Sequence, residues 1–226
     1  MTRTPIMITI DGPSGSGKST LSRLLAKSLG YSFLDTGAMY RAVGYKVIKD
    51  QIDEQDEEAM AAMLDNLDLH LLPGNGDTMV LLDDRDISQA IRTAEMGLVA
   101  SRVSAIAAVR RKLTELQRRI GREGNFVAEG RDMGTVVFPD APCKFFLDAT
   151  PEERARRRTA QLAEKGEQPD RQSILAQIKK RDHDDSNRDL APLKASADSV
   201  CIDSTNMTIE EVLAFMIRTV QTKRGV

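Results

Sequence analysis

An α/β fold, with a parallel sheet covered by helices on both faces, is expected from three features of this 226-residue chain. Short β-rich runs alternate with long helical patterns, a glycine-rich turn joins the first run to the first helix, and one alternating segment interrupts the rhythm. The runs are IMITI (6–10), YSFLD (31–35), NFVAE (125–129), CKFFLD (143–148) and SVCID (199–203). Two helix starts are marked by capping boxes, Thr150 with Pro151 and Glu153, and Thr208 with Glu211. The interruption is LDLHLLPGNGDTMVLLDD (67–84), two alternating strands around a glycine-rich turn, which predicts an inserted antiparallel hairpin. From Gly97 to Ile120 the pattern is that of one amphipathic helix, with Val99, Val103, Ile106, Leu113, Leu116 and Ile120 on its stripe. Arg110 falls on the same stripe, where snorkelling is the alternative to a binding role.

Composition narrows the function. A net charge of −2 and a pI near 5.8 argue against a nucleic-acid or membrane-surface binder held by bulk charge. No apolar run is long enough to span a bilayer, and MTRTPIMITID has too short an apolar part for a signal peptide, so a cytoplasmic protein is expected. Cys143 and Cys201 lie in separate strand-like runs without CxxC spacing and read as reduced core thiols. His70 and His183 are too few and too far apart to suggest a metal site.

GPSGSGKS, Gly12 to Ser19, matches G-x-x-x-x-G-K-[ST] between the first strand and the helical run TLSRLLAKSLG. Such a loop turns backbone N–H groups around a polyphosphate and adds the partial positive charge of a helix amino terminus. Gly12, Pro13, Ser14, Gly15, Ser16, Gly17, Lys18, Ser19 and Thr20 are therefore the expected ATP-binding residues, with Lys18 on the β and γ oxygens and the Ser19 hydroxyl available to Mg²⁺. Two classes compete: a switch or motor NTPase, and a kinase for a small molecule. The chain contains neither N-K-x-D nor D-x-x-G, which a switch GTPase needs. A small-molecule kinase needs a second anion site and charge to stabilise the transferred group.

Arginines sit where such a site would be. LDTGAMYRA places Thr36 and Gly37 at a strand-to-helix turn with Arg41 a turn further on; VAEGRDMGT places Glu129, Arg131 and Asp132 at a strand's carboxyl end; PEERARRRT gathers Arg154, Arg157 and Arg158 on one side of a helix before a Gly- and Pro-containing loop. Glu129 is a candidate to steady the Mg²⁺ waters, and the third group reads as a closing lid. In DRQSILAQIKKRDHDDSNRD the apolar stripe through Ile174 and Ile178 continues into Arg181, Asp185 and Arg188. An inward stripe that changes from apolar to charged needs partners or a ligand.

GPSGSGKST, LDTGAMYRA, the hairpin followed by DISQAIRTAEM, EGRDMGTVVFPDAPCKFFLDAT, EERARRR and RDHDDSNRDLAPL together make the chain resemble the bacterial cytidylate kinases over nearly its whole length. The resemblance implies a single P-loop NTPase unit with a five-stranded parallel core (1–35, 121–150, 190–226). It also implies a nucleoside-monophosphate-binding part (36–120) with a hairpin insert (65–88), a mobile lid (151–170) and a helix (171–189) lining the acceptor site. It implies a monomer transferring the γ-phosphoryl group of ATP, with Mg²⁺, to CMP or dCMP. Position by position, Arg41, Arg131 and Arg188 resemble the acceptor-phosphate clamp, Arg181 and Asp185 the sugar contacts, Ser101, Arg110 and Asp132 the cytosine readers, and Arg154 and Arg158 the groups meeting the transferred phosphoryl. Thr36 stands where relatives have serine, and Glu129 where some have aspartate. His183, Asp184 and Asp189 keep the reading of a solvated face.

Overall fold

The structure, a computed structural model, describes residues 6–73, 78–164 and 166–224. They fall into two compact units, one built from the described residues of Met1–Phe33 and Gly124–Val226, the other from Leu34–Glu123.

The first unit is organised by a five-stranded parallel sheet in the order β2 (Ser32–Asp35), β6 (Phe126–Gly130), β1 (Met7–Asp11), β7 (Cys143–Asp148), β8 (Val200–Asp203). Every residue of β1 is buried, as befits a central strand covered on both faces, and it pairs in parallel with β6 and β7. Ile8, Ile10, Val127, Phe145 and Leu147 form the core with Leu21 and Leu25 of α1 (Lys18–Leu29) and Val212 and Met216 of α8 (Ile209–Arg224). Asp11 stands beside Gly130 in register, so the site residues that follow them emerge at the carboxyl end of the sheet.

α6 (Pro151–Glu164) and α7 (Arg171–Asn187) pack through Ala155, Ile174 and Ile178. Asp170 caps α7 by accepting from the N–H groups of Gln172 and Ser173 at 3.2 and 2.9 Å. The helix ends at Asn187, not at 189, because Arg188 takes an extended backbone (φ −68°, ψ 143°). Thr208 and Glu211 form a complete capping box, at 2.8 and 3.2 Å. The box expected at Thr150 is only half formed: its hydroxyl accepts from Glu153 N–H, but the Glu153 carboxylate is taken by Arg156 and Arg157. Thr150 N–H donates instead to Thr205 Oγ1.

The two cysteines are not opposed. Cys201 pairs with Phe146, whereas Cys143 lies further back on β7 beside Ile8, on the opposite face of the sheet. Cys143 is buried, which pushes its thiol up to about 11, and Cys201 is exposed.

In the second unit, α2 (Thr36–Lys49) is capped by Asp35, which accepts from Ala38 N–H at 2.8 Å. α3 (Glu57–Asp65) leads into the antiparallel pair β3 (Leu69–Pro73) and β4 (Thr78–Leu82). The glycine-rich turn of the hairpin, 74–77, lies outside the described residues. A further short strand, β5 (Arg85–Asp86), joins β4 through Asp83 and Asp84, both at positive φ. Adjacent left-handed residues make a tight turn that matches the twist of the paired strands, and Asp tolerates that conformation.

The stretch 97–120 is two helices rather than one, α4 (Ala94–Val103) and α5 (Ala107–Gly121). At the break the Ser104 hydroxyl donates to Ser101 O at 2.7 Å and Ile106 is extended, so side-chain hydrogen bonding competes with helix continuation. Among the described residues no helix is long and apolar enough to cross a membrane.

Candidate active site

The phosphate loop occupies the β1–α1 connection. Gly12 is required there: its φ of +147° is disfavoured for a side-chain-bearing residue, and a Cβ would stand 2.0 Å from Leu147 O. Lys18, 6% exposed, donates through Nζ to Pro13 O at 2.5 Å and to Ser16 Oγ at 3.4 Å. Burial, and next the positive charge of Arg131, pull its ammonium well below the ordinary lysine range. An anion bound in the loop would restore that lysine's preference for its charged form. Ser19 Oγ donates to Glu129 Oε2 at 2.9 Å, which brings the two expected magnesium-side oxygens together at the end of β6.

Two α6 arginines are tied to the loop. Arg154 is 3% exposed, and its guanidinium donates to Ala149 O (2.8 Å), Ser14 O (3.1 Å) and both carboxylate oxygens of Asp182 (3.0 and 2.6 Å). Arg157 donates to Ser16 O and to the hydroxyl and carbonyl oxygens of Ser204. All three guanidinium nitrogens of Arg154 are thus engaged. Arg158 instead lines a cleft with Gly15–Thr20, Gln161 and the apolar Met207, Ile209 and Val212. Asp182 and Ser204 were not foreseen. Asp182 lies off the stripe of Arg181 and Asp185, and its partner is on another helix.

The charged end of α7 gathers the other arginines. Asp185, 4% exposed, accepts from Arg131 Nε at 2.9 Å, with Arg181 Nε at 3.9 Å and Arg188 Nη1 at 3.8 Å. Burial works against its charge, but Arg131, Arg181 and Arg188 outweigh burial and hold its carboxyl below the usual range. Arg188 is carried by the loop after the helix rather than by the helix itself. There its Nε donates to Ala191 O at 2.7 Å, and Leu193 N–H donates to Asp185 O at 2.8 Å. Ala191 holds φ +50°, a strained value for a residue with a Cβ, so the turn that aims Arg188 stores strain beside the site. Asp132, 2% exposed, directly follows Arg131 and opens a wide π-type turn, Met133–Val137.

The second unit carries the remaining expected residues. Thr36 is buried, and Arg41 donates through Nη2 to Asp35 at 3.1 Å while its Nε has no partner among the described residues. Arg110 does not snorkel. It is 6% exposed, donates to Ser104 O at 3.0 Å and places its guanidinium 5.7 Å from the centre of the Tyr40 ring. The helix break therefore matters to Arg110, because the Ser104 carbonyl at the break accepts from its guanidinium.

Known proteins share both the fold and the sequence. A crystal structure of an uncharacterized protein from Eubacterium ventriosum shares the fold at a TM-score of 0.55, with 14% identity, covering 96% of this chain and 99% of that one. A cytidylate kinase from Caldicellulosiruptor saccharolyticus is 49% identical over 208 residues, 92% of either chain. One from Geobacter sp. is 48% identical over 216 residues, 96% of this chain and 93% of that one. The family model described as cytidylate kinase matches residues 8–222, from the first strand to the last helix. By that match and that identity, the chain belongs to the cytidylate kinase family.

Proposed function

We propose that the protein transfers the γ-phosphoryl group of ATP to CMP or dCMP, giving ADP and CDP or dCDP by direct in-line displacement. The observation that carries the acceptor half is the gathering of Arg131, Arg181 and Arg188 around Asp185 at the end of the sheet that also bears the phosphate loop. Guanidinium groups bind phosphate by paired, charge-assisted hydrogen bonds, and a carboxylate among them orients the groups and can accept from a sugar hydroxyl. In this reading Arg41, Arg131 and Arg188 hold the acceptor phosphate, and Arg181 and Asp185 meet the sugar. Ser101, Arg110 and Asp132 read cytosine: its amino group donates to a carboxylate, whereas uracil would present a carbonyl that Asp132 repels.

On the donor side, Gly12 to Thr20 cradle the triphosphate, Lys18 bridges its terminal oxygens and Arg158 faces the transferred group. Arg154, whose bonds to Ala149, Ser14 and Asp182 use four of the five N–H groups of a guanidinium, joins it there. Ser19 and Glu129 fit Mg²⁺, offering oxygen alone. Among the described residues no three His, Cys, Asp or Glu side chains cluster as a metal cage, which suits a cation held largely by phosphate oxygens and water. When bound, Mg²⁺ supplies positive charge to the β and γ oxygens. No side chain is assigned as a covalent nucleophile. The enzyme is proposed to act as a cytoplasmic monomer on free nucleotides, in keeping with its small negative charge.

ADP formation from ATP and Mg²⁺ with CMP, dCMP, UMP, AMP and GMP tests this. CMP and dCMP are expected to be the preferred acceptors. Equal rates with UMP and CMP would remove the cytosine assignment, and hydrolysis indifferent to every acceptor would favour the switch or motor class.

A further inference from the structure

Asp11 joins two parts of the first unit and belongs to neither of the binding sets above. It is the last residue of β1, directly before Gly12, and only 4% exposed. Its Oδ1 accepts from the backbone N–H of Met133 at 2.9 Å and its Oδ2 from that of Gly134 at 2.8 Å. Those N–H groups open the π-type turn that follows Arg131 and Asp132, and N–H groups at the start of a helical turn have no partner within it. Gly134 permits the approach: a Cβ there would stand 3.0 Å from Thr9 Oγ1, 3.2 Å from Lys144 Cδ and 3.4 Å from Asp11 Oδ2.

Keeping a carboxylate here is expensive. Burial lifts it to about 6 against the opposing pull of both backbone hydrogen bonds and of Lys18, while Asp132 adds to the rise. A group that the fold holds at such disadvantage, with both oxygens aimed at one turn, is suited to fixing that turn in place.

We propose that Asp11 is a positioning residue, which sets Arg131 and Asp132 relative to the phosphate loop by holding the N–H groups of Met133 and Gly134. The proposal rests on the reading that Arg131 and Asp132 bind the acceptor. Asp11 itself touches no substrate. In-line transfer depends on aligning acceptor and donor, and a displacement of about 1 Å can lower the rate by about a hundredfold.

Asp11→Asn keeps the shape but can accept through only one oxygen. It is expected to lower kcat/KM for CMP at saturating ATP by about ten to a hundredfold, while ADP binding, measured by calorimetry, stays within about twofold. In an Arg131→Ala/Asp132→Ala background the further effect of Asp11→Asn on kcat/KM should shrink below about threefold, because the groups it positions are gone. Gly134→Ala presses the same turn away from Thr9 Oγ1 and Lys144 Cδ, and so from Asp11, without changing charge. It should reproduce the loss, and it carries the test should Asp11→Asn fail to fold. Unchanged kcat/KM in both variants, a parallel loss of ADP affinity, or an equal effect in both backgrounds would overturn the proposal. If Arg131→Ala/Asp132→Ala alone left CMP kinetics unchanged, the acceptor reading would fail, and the proposal with it.

Discussion

The two arginine groups of the first unit are built on opposite plans. On α6, Arg154 holds Asp182 by two hydrogen bonds, has Asp148 at 3.9 Å and donates to the Ser14 and Ala149 carbonyls. At the end of α7, three arginines gather around the carboxylate of Asp185, Arg131 at 2.9 Å and Arg188 and Arg181 at 3.8 and 3.9 Å. The first arrangement fixes a loop. The second concentrates positive charge on one small surface, which is why we propose it as the phosphate site. Both stretches, EERARRR and RDHDDSNRD, mix arginines with carboxylates, yet they take different physical roles.

The largest separation between them should appear at the loop. Lys18→Ala is expected to lower kcat for ADP formation by about a thousandfold, since it removes charge from the transferred group itself. Arg154→Ala comes next and should act on stability. It leaves the Asp182 carboxylate and two carbonyls without their donor, at about 3 kcal/mol, or a melting temperature lower by roughly 6–12 °C in calorimetry. If Arg154→Ala melted like the parent and only kcat fell, its fixed arrangement would not be the one that matters.

Two buried carboxylates sharpen the contrast through pH. Asp11 is raised from 3.8 to about 6, so its favourable contribution is complete below about 3.8 and is lost as pH rises through about 6. Relative to Asp11→Asn, the parent should lose on the order of 2–3 kcal/mol of unfolding free energy between pH 4 and 7 in urea titrations. Asp185 has the opposite sign. Its carboxyl is lowered by the surrounding arginines, so its contribution is present above about 3.8 and disappears as pH falls further. A flat difference for Asp11 would mean that its carboxylate is better solvated than its burial implies. The smallest effect concerns the thiols: a thiol reagent at pH 8 should label Cys201 and spare the buried Cys143 in the native protein, and both should titrate as free thiols after unfolding.

The strands and the phosphate loop were legible because their signals are local: a continuous apolar run, a glycine spacing, a hydroxyl three residues before a carboxylate. The turn from Ile178 to Arg181 and Asp185 was legible as well, since helical period alone places them on one face. The contacts that define roles were not. Asp11 meets residues 122 and 123 positions away, and Arg154 meets Asp182 28 positions away, so no local pattern marks either carboxylate. The break at Ser104 was hidden because Val103 and Ile106 both suit the apolar stripe, while hydrogen bonding by the serine decides the backbone. Helical period points Arg188 inward, yet its backbone belongs to the turn at Ala191 rather than to the helix.

The central proposal is that Arg131 and Arg188, two of the arginines around Asp185, receive the acceptor's phosphate. Titration calorimetry of CMP and of cytidine, with the parent and with Arg188→Ala, addresses it directly. The variant should bind CMP about ten to a hundredfold more weakly, a loss of about 1.5–3 kcal/mol, while its affinity for cytidine stays at the parent's value. CMP binding unchanged in Arg188→Ala, or cytidine weakened as much as CMP, would contradict the assignment.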